Sequence, residues 1–582
     1  MKETNIHDFV KGQIAAFEKP IQIIDGWDWS FKEHVKRSFL YKNSQFEEDN
    51  EDRANRPFKN IVQDILNVQY RTEGFDVKDI DLYVNEAENY FKSFLVKKFH
   101  ENWALEHQID TFIDEVVESY ADYGGVLVKN VNDERPEVVN LSTIAFCNQH
   151  HILSRPFGIL HLLSPDELKE KEEVRWGDEN KGATISLDAL ITLTQKENDK
   201  NDGDLEIFEI HGSFPEHFLG GDSDKYSKQL HIIAYYKNDV GEDVGVTLLK
   251  VREPKEVFKY LGRHNVWNRA LGRGGIEELF ESQVWTNQSE IQIQEMLEHA
   301  SKIFYKSTDP SFKTRNNLRG AEMAEVFTLQ EGRDVAQLDT TPKSLALFND
   351  ALDRWEARAR LLGGAGEALL GEAPTSGTPF KSLEAQIIEG KDLHRWRQGQ
   401  IAVFMDEIYR DWVLPHITKE ITKGKKFLAE LSMEELQTVA DSFTSKETFD
   451  FMKERILSGE LIAPEEQQIF AQQARETFVK GGNKRFMEIL KDELKDVPIK
   501  VKTSIAGKQK NLALLTDKVV NVVRQFIATP EIRQDREMVK LLNTILESSG
   551  LSPIMFGSSS APTQAQGGGQ TEPLKELAAS AA

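Results

Sequence analysis

Gly366 and Gly371 enclose four residues, which is the glycine spacing of a loop that wraps nucleotide phosphates in backbone N–H groups. Such a loop needs Lys and then Ser or Thr next, to reach the outer phosphates and a magnesium ion. Glu372 and Ala373 stand there instead, and a carboxylate repels phosphate, so the sequence argues against nucleotide binding. His100-Glu101 opens a zinc-protease pattern, in which two histidines four apart on one helix face share the metal. Ala104 occupies the second histidine's place, and His107 lies seven residues from His100, too far to restore the geometry. Cys147, His150 and His151 offer three metal donors in one stretch but no fourth. Asp199 to Asp204 is acidic, yet Gly203 stands where a calcium loop wants a ligand. No Gly-x-Ser-x-Gly elbow occurs. The expectation is a protein that is not an enzyme and needs no metal or cofactor.

The elements around these residues point elsewhere. The chain has 582 residues, room for about four domains at ~150 residues each. Lys and Arg number 72 against 96 Asp and Glu, a net charge of −24. Tight nucleic-acid binding draws on basic patches that neutralise phosphates, so this balance argues against it but permits a surface that DNA passes without sticking. Cys147 is the only cysteine, which excludes a disulfide framework and fits a reducing compartment. The polar start Met1-Lys2-Glu3-Thr4-Asn5 has no apolar signal core, and no apolar run approaches the ~18 residues of a membrane span. A soluble chain, intracellular when made, is expected.

Residues 1–123 read as mostly helical, with helical periodicity from Phe58 to Val68, Ile80 to Trp103 and Ile109 to Tyr123. The last ends at Gly124-Gly125, where a left-handed cap favours glycine. Residues 126–260 are strand-rich: Leu205 to Ile210 alternates with period two, and Leu230 to Tyr236 and Val244 to Val251 flank a hairpin turn at 238–241.

Gly272-Arg273-Gly274-Gly275 then opens a helix from Gly274 to Ser301. Ile276, Phe280, Val284, Asn287 and Ile291 share one face of it. It carries six Glu and no Lys or Arg, either a solvated face or a wall that repels phosphate. Residues 302–341 form a short insert with β-like Ile303-Phe304-Tyr305 and Glu325 to Leu329. Its first part, 302–319, is net +4 through Lys302, Lys306, Lys313, Arg315 and Arg319 against Asp309. Pro342 opens a second helix to Leu362. A loop with five glycines and no basic residue follows, expected to be flexible. Thr378 and Pro379 then cap a helix that could reach Leu414, about 36 residues or ~54 Å, and Pro415 ends or kinks it. Beyond Lys423 the chain reads helical, with capping-box spacing at Ser432/Glu435 and Thr444/Glu447, strand-like Ile499 to Thr503, and a last helical pair before a Gly/Ser-rich end.

In this order the parts resemble the portal proteins of tailed bacteriophages, over about residues 50–555, and within that family the portals of the crAss-like gut phages. Ala121 to Gly125 is similar to the family's helix-to-strand passage. Gly272 to Gly275, with Gln283 and Asn287 downstream, is similar to the lead-in to its first stem helix. The resemblance implies a mainly helical α+β ring subunit with wing, stem, clip and crown. The wing would take 1–272, including a β-rich part at 126–260. Stem helices would lie at 273–301 and 342–362 around a clip at 302–341. A tunnel loop at 363–378 would lead to a long kinked helix and returning wing at 379–504. A crown at 505–556 and a disordered tail at 557–582 would end the chain.

The function implied is a ring, usually of twelve copies, at one capsid vertex of the virion, formed in the host cytoplasm during assembly. It would admit and release double-stranded DNA without sequence preference and join head to tail. Implied partners are further copies of the chain, the major capsid protein, the terminase and a head–tail adaptor, with no membrane. In the tunnel loop the candidate DNA-facing residues are Gly364, Gly366, Glu367, Leu369, Leu370, Gly371 and Glu372. In the clip the candidate contacts to terminase or adaptor are Lys306, Lys313, Arg315 and Arg319. The competing reading is another acidic virion or scaffold protein without a DNA channel.

Overall fold

The computed structural model of the chain describes residues 5–47, 56–84, 90–131, 135–154, 156–197, 205–220, 225–237, 243–253, 256–302, 304–315, 328–337, 345–366, 369, 390, 392–423, 444, 448–449, 451–458, 465–476 and 499–503. The fold is α+β and mainly helical.

Helix α1 (Ile6–Phe17) starts at Asn5, whose side chain accepts the His7 N–H. A hairpin of β1 (Ile21–Ile24) and β2 (Trp27–Trp29) leads to α2 (Phe31–Lys42), capped by Ser30. Helix α3 (Val62–Glu73) buries Val62, Ile65, Leu66, Gln69 and Glu73, a stripe whose last two members are polar. The helix expected from Ile80 is instead β3 (Ile80–Val84) followed by α4 (Tyr90–Glu106). The reason is tertiary: β3 pairs antiparallel with a strand more than 400 residues later, Ile80 opposite Thr503. Pairing at that range overrides local periodicity. Helix α5 (Ile109–Tyr123) presents Ile109, Phe112, Ile113, Val116, Val117 and Tyr120 as a buried helical stripe.

After it come β4 (Gly125–Lys129), β5 (Glu137–Val138), β6 (Ile144–Phe146), β7 (Phe157–Leu163), α6 (Pro165–Glu170), α7 (Leu187–Glu197), β8 (Leu205–Pro215), β9 (Tyr226–Lys237), β10 (Asp243–Arg252) and β11 (Phe258–Gly262). Strands β10-β9-β8-β7-β6 form one antiparallel sheet, and β11-β4-β5 a second. The expected hairpin is β9 with β10, Val246 facing Ala234. Leu168, Leu187 and Leu190 of α6 and α7 pack on Ile207, Ile232 and Leu248 of the larger sheet.

That sheet carries a buried polar knot. Glu209 receives Lys129 Nζ at 2.6 and 2.7 Å, His161 Nε2 at 2.8 Å and His211 Nε2 at 2.8 Å. The other ring nitrogen of His211 meets Glu253 at 2.8 Å. Burial opposes the charge on Glu209, but hydrogen bonds from the two histidines, with Lys129, hold its carboxyl well below the usual range. Burial likewise opposes His211, and its two carboxylates overcome that and push the imidazole up.

The remaining elements are α8 (Gly275–Ser301), β12 (Tyr305–Ser307), α9 (Phe312–Arg315), β13 (Val335–Gln337), α10 (Leu345–Leu362), α11 (Asp392–Ile408), a π turn at Tyr409–Val413, α12 (Leu414–Lys423) and β14 (Ile499–Thr503), the partner of β3. Pro415 does not end the long helix. The Leu414 N–H bonds the Tyr409 carbonyl in the wider π pattern just before the proline, and the helix continues past it. Ile401, Met405, Ile408 and Trp412 of this helix share a core with α4 and α5.

Candidate functional site

Two glycine motifs far apart in sequence meet in space. Gly124 closes α5 in the left-handed region, φ +81°, and its carbonyl accepts the N–H groups of Arg263 at 2.8 Å and Gly272 at 3.0 Å. A Cβ on Gly272 would fall 1.6 Å from the Arg263 carbonyl oxygen, and one on Gly274 would fall 2.3 Å from that of Asp122. The α5–β4 passage and the start of α8 therefore cross backbone on backbone, a contact that only glycine allows. Helix α8 begins at this crossing.

Immediately beside it lies a buried charge centre. Glu73, at the end of α3, is fully buried, and its Oε1 receives Arg263 Nη2 at 3.2 Å, Arg397 Nη1 at 3.1 Å and His394 Nδ1 at 2.9 Å. Arg263 comes from the loop after β11, and His394 and Arg397 from α11. Arg397 also reaches Glu278 of α8 at 3.4 Å. Burial works against the Glu73 anion, but Arg263, His394 and Arg397 outweigh it and hold the carboxyl below its usual range. At Glu278 the balance reverses: burial exceeds the pull of Arg397 and Arg263 and raises the carboxyl.

This centre ties down both ends of the segment between α10 and α11. Helix α10 stops in a Schellman cap: Ala365 N–H bonds Arg360 O at 2.9 Å, Gly364 N–H bonds Leu361 O at 3.3 Å, and Gly364 has φ +70°. Gln69 donates to the Gly363 carbonyl at 3.0 Å, and His394 Nε2 donates to the Gly364 carbonyl at 3.0 Å. The returning end is held by His394, Arg397 and Gln398, whose amide donates to Gly74 O at 2.9 Å. The chain leaves and re-enters beside one carboxylate.

Helices α8 and α10 run antiparallel. Glu281 pairs with Arg358 at 3.3 Å, and Trp285 stacks on Trp355 at 6.0 Å between centroids. Segment 56–61 straps across them: Gln283 Oε1 accepts the Ile61 N–H at 2.9 Å, Asn287 Oδ1 accepts the Lys59 N–H at 3.1 Å, and Lys59 pairs with Glu290 and Glu356. The far ends of α8 and α10 flank the antiparallel pair β12–β13, Lys306 opposite Ala336. Its second strand lies at 335–337; Thr328 and Leu329 are not in a strand, and Glu325 to Phe327 lie outside the described residues.

The sequence-derived site residues divide accordingly. Gly364 is the left-handed residue of the α10 cap, Gly366 has open space around its Cα, and Leu369 is half-buried against the Ile65–Leu66 core. Glu367, Leu370, Gly371, Glu372 and Arg319 lie outside the described residues. Lys306 and Lys313 are exposed, and Arg315 ends α9. Asp309 is buried, accepting the Ser311 N–H at 2.9 Å and the Gln330 N–H at 3.0 Å. The acids of α8 are not one solvated face: Glu277 binds Arg269, Glu278 meets Arg397, Glu281 Arg358 and Glu290 Lys59. Glu295 and Glu298 stand exposed on its last turns. The histidines that invited a metal reading are spread out: His100 is buried on the Tyr409 hydroxyl at 3.0 Å, and His150 bonds the Asn268 carbonyl at 2.8 Å. Among the described residues no three His, Cys, Asp or Glu are placed to hold a metal ion.

Glu73, Gln69, Arg263, His394 and Arg397 escaped the sequence reading. One signal was available: Val62, Ile65, Leu66, Gln69 and Glu73 share a face of α3, so the apolar stripe runs into an amide and a carboxylate. A polar group at a core position demands a partner.

No family model and no curated protein matches the sequence. Among solved structures, the chain is similar to one in the virion of a native gene transfer agent particle, at 10% identity and TM-score 0.29, over 80% of this chain and 99% of that one. It is similar to chains in the neck of the empty particle (10%, TM-score 0.30, 79% and 98%) and in the neck of the native particle computed with C12 symmetry (10%, 0.28, 79% and 98%). At these scores the likeness spans the chains but carries no functional argument.

Proposed function

We propose that this chain is a non-enzymatic structural subunit of a tailed-phage-type virion: a portal protein whose copies close into a ring at one capsid vertex, through which double-stranded DNA is packaged and released. The observation that carries this reading is the α8–α10 pair. Its far end bears a small β insert with exposed lysines, and its near end is fixed, with the returning helix, to one buried carboxylate. A stem built so is stiff along its length and presents a separate tip to a docking partner. The insert would meet the terminase and then the head–tail adaptor, with Lys306 and Lys313 at that contact.

The net charge of −24 suits a surface that must not hold DNA. One observation favours the second reading, an acidic virion or scaffold protein without a channel. Four of the six glutamates on α8 are neutralised within the chain, so the helix is a weaker phosphate-repelling wall than its composition suggests. Negative-stain electron microscopy of the purified chain separates the two. Rings with a central hole wide enough for a duplex are expected. Solid particles, or filled assemblies formed only with capsid protein, would favour the scaffold reading.

A further inference from the structure

Trp267 is the most exposed large apolar side chain among the described residues, 90% accessible, in the loop between β11 and α8. That loop is firmly held. Arg273 N–H bonds His264 O at 3.2 Å, Ala270 N–H bonds Gln149 O at 2.8 Å, and His150 Nδ1 meets Asn268 O at 2.8 Å. The Arg269 guanidinium, buried, binds Glu277 and the carbonyls of Leu271 and Gly272. Two non-glycine residues flank the indole in the left-handed region, His264 at φ +42° and Asn268 at φ +58°. Such conformations cost free energy and persist where surrounding structure imposes them. The loop thus holds a tryptophan out in solvent at a cost, where a tucked-in indole would stabilise the fold.

His264, three residues before Trp267 in the same loop, carries a second aromatic ring. Trp396 of α11, half exposed, stacks on the His264 ring at 5.6 Å between centroids, and Leu393 stands exposed one turn earlier on the same helix. Apolar groups clustered at a surface mark contact sites, and rigidly presented tryptophans bind well because little freedom is lost when they dock. The ionic surroundings set the partner. The Arg273 guanidinium is exposed and makes no hydrogen bond or ion pair among the described residues, though the partly buried Glu277 and Glu278 lie close enough to feel its charge. Arg395 pairs with Asp392 at 3.4 Å, and Glu278 is turned inward to Arg397. The exposed charge beside the aromatic ledge is therefore cationic in a strongly acidic protein, which fits an acidic partner surface.

We propose that the ledge of Trp267, His264 and Trp396 is the surface by which one copy of this chain grips the acidic surface of the next. This rests on the ring reading above and deepens it. Copies at −24 each repel one another, so association needs buried aromatic anchors and at least one opposite charge, and the ledge supplies both. Because the gripped surface is a different one, the contact is head-to-tail and closes into a ring when the rotation between copies permits.

The test is sedimentation velocity of the full chain over a range of concentrations, for wild type, Trp267→Ala, Trp267→Phe and Arg273→Glu, with thermal melting of each. Trp267 touches solvent on nearly all sides, so its variants should melt as wild type does. Trp267→Ala and Arg273→Glu should need at least tenfold more protein to assemble, and Trp267→Phe should recover part of the loss. Wild-type rings matched by equal Trp267→Ala rings would overturn the ledge and leave the ring reading standing. Wild-type chains that stay monomeric throughout would overturn both. Unchanged assembly with a loss of duplex DNA binding in Trp267→Ala would assign the ledge to DNA and overturn the proposal.

Discussion

The N–H of Gly272 donates to the carbonyl of Gly124 at 3.0 Å, and the two segments touch there with no side chain between them. Since a Cβ on Gly272 would overlap the Arg263 carbonyl oxygen, Gly272→Ala must push α8 off α5. The expected cost is about 3 kcal/mol or more. Two control substitutions calibrate it. Gly12, inside α1 with open space around it, should gain about 0.5–1 kcal/mol as Ala. Gly26, at φ +79° and equally open, should lose about 1–2 kcal/mol as Ala. Chemical denaturation of the three variants gives the order, and a Gly272→Ala chain as stable as wild type would refute the crossing.

Replacing Glu73 by Gln leaves Arg263, Arg397 and His394 buried around a neutral amide. Removing one partner of a buried ionic cluster costs about 3–5 kcal/mol. The pH response carries the sign. A carboxyl held below its unfolded value stabilises the fold above that value, near 4.5, and the contribution disappears as pH falls through the lower folded pKa. Wild type should therefore lose stability on acidification more steeply than Glu73→Gln. Parallel acid limbs in urea titrations would remove Glu73 from that role.

The knot on the larger sheet behaves in the opposite sense at its histidine. His211 has a raised folded pKa, so its contribution is complete below the unfolded value near 6.5 and is lost as pH rises through the folded one. Glu209, held low, adds stability above about 4.5 that is lost in acid. The sheet should be firmest between these limits. His211→Gln should flatten the decline of melting temperature from neutral to alkaline pH, and an unaltered slope would show that His211 does not set it.

Much of this was legible. Helix α5 and its glycine cap, the β9–β10 hairpin and the start of α8 each rest on local rules: a 3.6-residue stripe, a two-residue alternation, a glycine where φ is positive. What failed depends on distant partners. Residues 80–84 look helical until β14 pairs with them. The acidic stripe of α8 left two readings open, a solvated face or a phosphate-repelling wall, because the cations that meet four of its glutamates, Arg269, Arg397, Arg358 and Lys59, come from four separate stretches. Neither periodicity nor the resemblance pointed to the carboxylate on α3 that anchors the ends of the segment after α10.

Duplex DNA binding by the full chain should be weak, with a Kd above about 1 µM near physiological salt, and should weaken further as salt rises. Fluorescence anisotropy over a salt series measures both. Nanomolar affinity at 0.15 M salt would contradict a passage that DNA slides through.

Lys306 and Lys313 are exposed on the insert, away from the buried centre, so Lys306→Glu with Lys313→Glu should leave melting unchanged. In the portal reading the same pair should weaken docking of the terminase by about tenfold, by analogy with charge reversals at other contact rims. Equal docking in a pull-down titration would take the insert out of that contact.

The fixed exits beside Glu73 have a consequence for how this chain can diverge. Both ends of the segment between α10 and α11 are pinned there. The residues that pin it, Gln69, Glu73, Gly363, Gly364, His394 and Arg397, can change only together. Among relatives, a change at one of these moorings should be met by a change at another.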